Sequence, residues 1–224
     1  MKTIDILGIK IKDYSVRETL HLTREYLSHN VPSTVCFLTR EDLLGASESA
    51  EWKSFIEEEA DATMIASSDI FKAAGVEEKG RAREIDRNLY LKGLMRLLSK
   101  ERRRLYLLTQ NPTHMYDLKY LLGTFESALQ VAGSCDSMEM SDPEKAVEDV
   151  TNDINTVTPD VIFAVLPGDQ GIRFVNLGKK YMNARLIVLM QPELLRVRDD
   201  GSVKKGFAAR LSERLFAKIA GRYR

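Results

Sequence analysis

Short runs of apolar residues, many of them β-branched, alternate along the chain with longer segments of helical period, and this alternation most restricts the fold. It is typical of βα units that build a mainly parallel sheet flanked by helices. Most runs are apolar throughout, which predicts strands buried on both faces. The predicted strands are Thr3–Ile11, Ser33–Leu38, Ala62–Ala66, Arg104–Thr109, Ala128–Ala132, Val161–Leu166 and Arg185–Met190. The first strand alternates and contains Gly8, so it predicts an edge strand or a hairpin.

Two helix starts carry a hydroxyl residue three positions before a carboxylate, which is the pattern of a capping box. They are "SVRE" at Ser15–Glu18 and "SDPE" at Ser141–Glu144, the second with Pro143 in the first turn. Further helices are predicted at Glu41–Glu59, Asn88–Arg103, Pro112–Phe125 and Asp169–Tyr181. The charged stretch "GVEEKGRARE", residues 75–84, lacks apolar anchors and is predicted to be a mobile loop.

The distribution of charge divides the chain into an acidic body and a basic end. The net charge of the 224 residues is zero, but nine basic and three acidic residues lie from Arg196 onward, so this end carries +6 and residues 1–195 carry −6. We therefore predict an α/β domain over 1–195 and a basic amphipathic appendage over 196–224. Its apolar residues recur mostly at spacings of four, which suits either a helix in the interface of an anionic membrane or a helix packed on its own domain.

Several common classes of protein are excluded by missing motifs. The chain has no Walker loop and no glycine-rich dinucleotide turn. It has no nucleophile elbow, no pair of acids spaced for a metal-bound nucleotide, and no zinc-binding pattern among its three histidines and two cysteines. The N-terminus lacks a signal pattern and no apolar run is long enough to span a bilayer, while Cys36 and Cys135 suit reduced thiols. These features predict a cytoplasmic protein without a metal cofactor.

Aromatic residues and one aspartate also admit structural interpretations. Four aromatic residues lie among apolar neighbours and are predicted to be core residues, so nucleic acid is not an expected partner: Tyr90, Tyr106, Phe163 and Phe174. Asp69 follows a predicted buried strand, where open α/β sheets place their chemistry. It is a candidate catalytic carboxylate, and the alternative is that it caps a short helix over Ile70–Ala74.

The order of segments along nearly the whole chain resembles the WecG/TagA/CpsF glycosyltransferases. The resemblance is carried by "MKTIDILGIKI", "SVRETL", "TREDLL", "ADATMIASSD", "RRLYLLTQNPTHMYDLKYLL", "LQVAGSCDS", "PDVIFAVLPGDQGIRF" and "DDGSVKKGF". It implies a Rossmann-like α/β fold and metal-independent, inverting transfer of an N-acetylhexosamine from a UDP-sugar to a lipid-linked acceptor. It also implies a homo-oligomer of unspecified size and a peripheral position on the inner face of the cytoplasmic membrane.

The same resemblance locates candidate site residues, several of them substituted. The family's aspartate base falls on Ala66, next to Ser67, so Asp69 is the nearest replacement and Asp86, in "REIDRNL", is a second candidate. Thr39 stands where the family has asparagine, and Glu41 is retained. The resemblance implies substrate contacts from Thr39, Ser67, Arg83, Gln170, Lys204 and Lys205.

Two functions remain open at this point. One is an active transferase of envelope or capsule polysaccharide synthesis, in which Asp69 or Asp86 is the base, Gln170 orients the donor, and Arg83, Lys204 and Lys205 offset the diphosphate charge. The other is a catalytically inactive member of the family that acts as a binding or accessory protein in the same pathway. The substitution of alanine for the base favours the second, because loss of a general base typically costs about 10²–10⁴-fold in rate.

Overall fold

The computed structural model describes residues 2–76, 78–138, 141–195 and 216–221. Six parallel strands form one sheet and two antiparallel strands form a separate hairpin at the N-terminus. The strands of the described residues are β1 (Lys2–Ile6), β2 (Ile9–Asp13), β3 (Ser33–Leu38), β4 (Ala62–Ile65), β5 (Arg104–Thr109), β6 (Gln130–Cys135), β7 (Val161–Val165) and β8 (Leu186–Met190). The order in the large sheet is β4-β3-β8-β7-β5-β6. The predicted fold class, a mainly parallel sheet flanked by helices, is confirmed.

The helices lie on both faces of this sheet. They are α1 (Val16–Ser28), α2 (Arg40–Glu48), α3 (Ala50–Ser54), α4 (Ser68–Ala73), α5 (Lys79–Asp86), α6 (Leu89–Lys100), α7 (Pro112–Phe125), α8 (Pro143–Val157) and α9 (Gly168–Gly178). Apolar side chains of α1, α6 and α7 form one core with one face of the sheet. Those of α2, α8, α9 and the hairpin form a second core on the other face. Among the described residues, no helix is both long and apolar enough to cross a lipid bilayer.

The hairpin alternative for the first segment is correct. Leu7 and Gly8 both have positive φ, 58° and 75°, as a two-residue turn between antiparallel strands requires. The alternating isoleucines of β1 and β2 are buried against the core while the intervening residues are exposed. This separate hairpin explains why the first segment alternates while the strands of the parallel sheet do not.

Most predicted elements are present, with shifts at particular caps. The capping box of Ser15 and Glu18 is confirmed, whereas α8 is capped by Asp142 rather than Ser141. The predicted helix over Glu41–Glu59 is interrupted because Ser49 is extended and caps α3 with its hydroxyl, which accepts from the amide of Trp52. The four aromatic residues predicted for the core are buried, and both cysteines are free.

The prediction of a mobile loop over residues 75–84 is wrong for its second half. Lys79–Asp86 forms helix α5, which buries Ile85. Arg81 in this helix pairs with Glu84 and donates to Asp13 at 2.6 Å, and both members of the Arg81–Asp13 pair are largely buried. The charged stretch is therefore held in part by Asp13, 68 residues before Arg81 in the sequence, which local composition does not reveal.

Candidate functional site

The carboxyl ends of the parallel strands define the edge of the sheet where a ligand would bind. Helix α7 follows β5 and packs on one face, while α9 follows β7 and packs on the other. The strands β5 and β7 are neighbours in the sheet, and the chain leaves them toward opposite faces. In such an arrangement a crevice forms between the ends of the two strands. This is the topological switch point at which open α/β sheets bind ligands.

Gln170 lies at this switch point. It belongs to the first turn of α9, and its Oε1 accepts a hydrogen bond from Nε2 of Gln110, the residue after β5, at 3.3 Å. Both side chains are only partly buried. Two amides from opposite walls of the crevice can therefore present donors and acceptors to a ligand placed between them.

A second group of polar residues follows β3 and β8. Thr39 caps α2 in a capping box with Asp42, and its hydroxyl both donates to the Asp42 carboxylate (2.8 Å) and accepts from the Asp42 amide (3.2 Å). Nε2 of Gln191, the residue after β8, donates to Asp42 Oδ1 at 2.6 Å. Burial raises the pKa of Asp42, while the hydrogen bonds from Thr39 and Gln191 act in the opposite direction. Thr39 is 2% exposed, so in this conformation its side chain serves the helix cap.

A shallow cleft with room for about one water molecule lies beside this group. Its polar lining comes from Asp42 and Gln191, and Trp52 and Gly168 form part of its wall. A β-carbon on Gly168 would lie 2.7 Å from the Trp52 ring and 2.9 Å from both Asp42 Oδ1 and Gln191 Nε2. The start of α9 can therefore approach α2 and the end of β8 only because residue 168 has no side chain.

Asp69 is held by an ion pair. Its carboxylate receives a hydrogen bond from the Ser67 hydroxyl and lies 3.0 Å from Nη1 of Arg40. The side chains of Arg40 and Asp69 are 12% and 4% exposed. The prediction that Asp69 caps Ile70–Ala74 is wrong, because α4 begins at Ser68 with Ser67 at the N-cap position.

The remaining predicted site residues lie apart from this arrangement or outside the described chain. Arg83 and Asp86 are both exposed on α5, and Asp86 is its last residue. Lys204 and Lys205 lie outside the described residues. The structure thus brings Ser67 and Asp69 together with Arg40, and Gln170 together with Gln110.

Glu193 is a polar residue that the sequence interpretation missed. It lies in a short 3₁₀ turn, Pro192–Leu195, directly after β8, and the charge of Glu41 in the first turn of α2 acts on its carboxyl group. Desolvation and, after it, the charge of Glu41 together raise the pKa of Glu193 to about 7, and the charge of Arg40 opposes the shift. The one signal available in the sequence was Glu41, which the family turn retains.

The fold defines an α/β protein whose parallel sheet has a topological switch point between β5 and β7, where sheets of this kind bind ligands. The model of the Glycosyl transferase WecG/TagA/CpsF family matches residues 4–188, and the chain belongs to this family. The family match supports a glycosyltransferase of cell-envelope polysaccharide synthesis. A comparison with curated proteins found no match.

Proposed function

We propose that the protein transfers an N-acetylhexosamine from a UDP-sugar to a lipid-linked acceptor in envelope or capsule polysaccharide synthesis. The observation that carries the proposal is the pairing of Gln110 with Gln170 across the crevice between β5 and β7. The proposal includes metal-independent chemistry and a homo-oligomer. It is supported by membership of the family and by the position of Gln170 at the edge where such sheets bind ligands.

The donor is held, in this proposal, by amide hydrogen bonds at the switch point. An amide side chain has both an acceptor oxygen and two donor hydrogens, so Gln170 can match the edge of a uracil or a pair of sugar hydroxyls. The diphosphate charge is offset by cations, for which Arg83, Lys204 and Lys205 are the predicted sources. The acceptor hydroxyl attacks the anomeric carbon, its proton passes to a carboxylate, and the bond from that carbon to the UDP oxygen breaks with its electrons leaving on UDP.

Replacing Gln170 with alanine is expected to weaken UDP binding about tenfold. A hydrogen bond of this kind contributes about 1–1.5 kcal/mol, and 1.4 kcal/mol corresponds to a factor of ten in affinity. The measurement is calorimetric titration of wild type and variant with UDP. Gln130→Ala, an exposed change at the start of β6 on the edge strand, is the matched control and should leave affinity unchanged. Equal affinities for wild type and Gln170→Ala would contradict the assignment of the donor site.

A second candidate is an inactive member of the family that binds a sugar nucleotide without turning it over. It is favoured by Ala66 at the position of the family base and by the ion pair that holds Asp69 against Arg40. UDP release from UDP-N-acetylglucosamine and UDP-N-acetylmannosamine separates the two candidates. Binding of either donor without release of UDP supports the inactive member, and release that is lost in Asp69→Asn supports a base at Asp69.

The proposal also places the protein at the inner face of the cytoplasmic membrane through its basic end. Within this end the structure describes residues 216–221, where Phe216 and Ala220 are buried in the core beside α8, α9 and the hairpin. These two side chains are therefore packed on the body, and we propose that the contact with lipid is electrostatic rather than an insertion of their apolar face. Each cation near an anionic surface contributes about 1 kcal/mol.

Reversing four tail charges is expected to abolish sedimentation of the protein with vesicles that contain anionic lipid. The variant carries Lys204→Glu, Lys205→Glu, Arg210→Glu and Arg214→Glu in the full chain. Wild type should sediment with phosphatidylglycerol vesicles at low salt and be released as salt is raised, because the attraction is screened. Lys100→Glu with Lys119→Glu, both exposed on the body, is the control for charge alone. Equal sedimentation of wild type and the tail variant would contradict membrane docking by this end.

A further inference from the structure

Three side chains pack against the first residue of α9, and we call them the support cluster. They are Asp42 of α2, Trp52 of α3 and Gln191, the residue after β8. A β-carbon on Gly168 would lie 2.7 Å from the Trp52 ring and 2.9 Å from each of the two polar side chains. The cleft beside the cluster has room for about one water molecule, so it is too small for a sugar or a nucleotide. The cluster is therefore placed to hold the start of α9.

Asp42 is the polar centre of the support cluster and is only 6% exposed. One of its carboxylate oxygens accepts from the amide of Thr39 at 2.9 Å and from the Thr39 hydroxyl at 2.8 Å. The other oxygen accepts from Nε2 of Gln191 at 2.6 Å. Moving the carboxylate would leave a buried charge without its donors, which is costly. Asp42 therefore ties the end of β8 firmly to the start of α2.

The ring of Trp52 is confined on two sides. It packs on Gly45 of α2, where an added β-carbon would overlap the ring, and its outer edge packs on Gly168. A ring held between two helices has little room to move away from either of them. A side chain added at Gly168 would therefore displace the start of α9 rather than the cluster.

The turn of α9 that packs on the cluster also carries Gln170. This residue is two positions after Gly168, and its Oε1 accepts a hydrogen bond from Gln110 across the crevice at 3.3 Å. The next residue, Gly171, packs on Leu189 of β8, where a β-carbon would lie 2.7 Å from the side chain. Close contacts thus flank Gln170 along the chain, and they fix the backbone from which its amide extends.

We propose that Asp42 and Gln191 are positioning residues of the donor site, which hold α9 so that the amide of Gln170 meets the donor. This inference rests on the proposed function, in which Gln170 binds the UDP-sugar. Both residues act through the backbone of α9. Because a hydrogen bond weakens steeply as its geometry departs from the optimum, a small shift of this helix is enough to reduce donor binding.

Gly168→Ala tests the proposal in the full chain, with UDP affinity measured by calorimetry. The added β-carbon displaces the start of α9, so affinity should fall about tenfold, as expected for Gln170→Ala. Gly123→Ala on α7 is the matched control and should leave affinity unchanged. An added β-carbon there meets no atom of the described residues within 4 Å beyond its own helix. The stoichiometry of each titration gives the folded fraction, so the affinities refer to folded molecules.

The double variant Gly168→Ala with Gln170→Ala separates positioning from a general loss of structure. If the cluster acts through Gln170, the double variant should bind UDP no more weakly than Gln170→Ala alone, because the group that Gly168 helps to position is already absent. Two independent effects would instead multiply to a loss of about a hundredfold.

Asp42→Asn and Asp42→Ala test the polar part of the cluster. Asparagine can keep both contacts, since its oxygen accepts from Thr39 while its NH₂ group donates to a turned amide of Gln191. UDP affinity should therefore remain within about twofold of wild type in Asp42→Asn and fall about tenfold in Asp42→Ala, which has no acceptor.

The emission of Trp52, the only tryptophan in the chain, reports on the cluster without any ligand. Displacement of the start of α9 exposes the indole ring to water. The emission of Gly168→Ala and Asp42→Ala should therefore shift to longer wavelength, whereas Asp42→Asn and Gly123→Ala should match wild type.

The outcomes separate this inference from the proposed function. Multiplying losses in the double variant, or wild-type affinity in Gly168→Ala, overturn the positioning role and leave the donor site at Gln170 standing. Equal losses in Asp42→Asn and Asp42→Ala overturn the role of the hydrogen bonds. A wild type that does not bind UDP overturns the proposed function and the inference together.

Discussion

Replacing Arg40 with methionine should lower the free energy of unfolding by about 3–5 kcal/mol, the usual cost of removing one partner of a buried ion pair. Arg40 is 3.0 Å from Asp69, and the side chains are 12% and 4% exposed. Methionine keeps much of the side-chain volume but leaves the Asp69 carboxylate without the guanidinium charge. The measurement is equilibrium unfolding in urea at neutral pH.

A double-mutant cycle distinguishes the loss of charge from the loss of packing. Adding Asp69→Asn to Arg40→Met should recover part of the stability, because the buried carboxylate charge is then removed together with the guanidinium that neutralised it. Glu78→Gln, which breaks the exposed Lys2–Glu78 pair, is the control and should produce no measurable change. A double variant no more stable than Arg40→Met alone would show that the guanidinium acts through packing.

Replacing Phe216 with alanine should lower the free energy of unfolding by about 3–5 kcal/mol, as for other buried phenylalanines. Phe216 is 1% exposed in the core that contains α8, α9 and the hairpin, so its truncation leaves a cavity under the sheet. Urea unfolding measures the loss. Leu177→Ala, at a 37% exposed position on α9, should change stability by no more than about 0.5 kcal/mol.

The result for Phe216 also bears on the division of the chain at residue 195. A loss of the expected size means that part of the basic end contributes to the core of the body. A loss below about 1 kcal/mol would mean that the end undocks readily, which would free its apolar stripe for a membrane and contradict our view of a purely electrostatic contact.

The strands were predictable because their signal is local. A strand buried on both faces must be apolar at every position, so "VIFAVL" and "LIVLM" were recognised from composition alone, and β7 and β8 begin and end within one residue of the prediction. Strand β6 was displaced, as Ala128–Ala132 was predicted and Gln130–Cys135 is observed, because this edge strand is partly exposed and its composition is mixed.

The candidate site was only partly predictable. Gln170 was recognised because one loop carries the family resemblance, but its partner Gln110 lies sixty residues earlier. Glu193 was missed because no local pattern marks it, and Glu41, whose charge acts on it, lies in the first turn of α2, about 150 residues earlier in the chain. The roles of such residues depend on which loops the sheet brings together.

The amino-acid sequence by itself determined the α/β class, the buried strands, the first helix cap and the opposite charges of body and tail. These properties follow from the side chains of neighbouring residues and their period. Only the tertiary structure decided that Asp69 faces Arg40, that the charge of Glu41 acts on Glu193 and that Gln170 meets Gln110. The physical reason is that strand order sets which loops share an edge, and a carboxyl group takes its pKa from the burial and charges that this edge places around it.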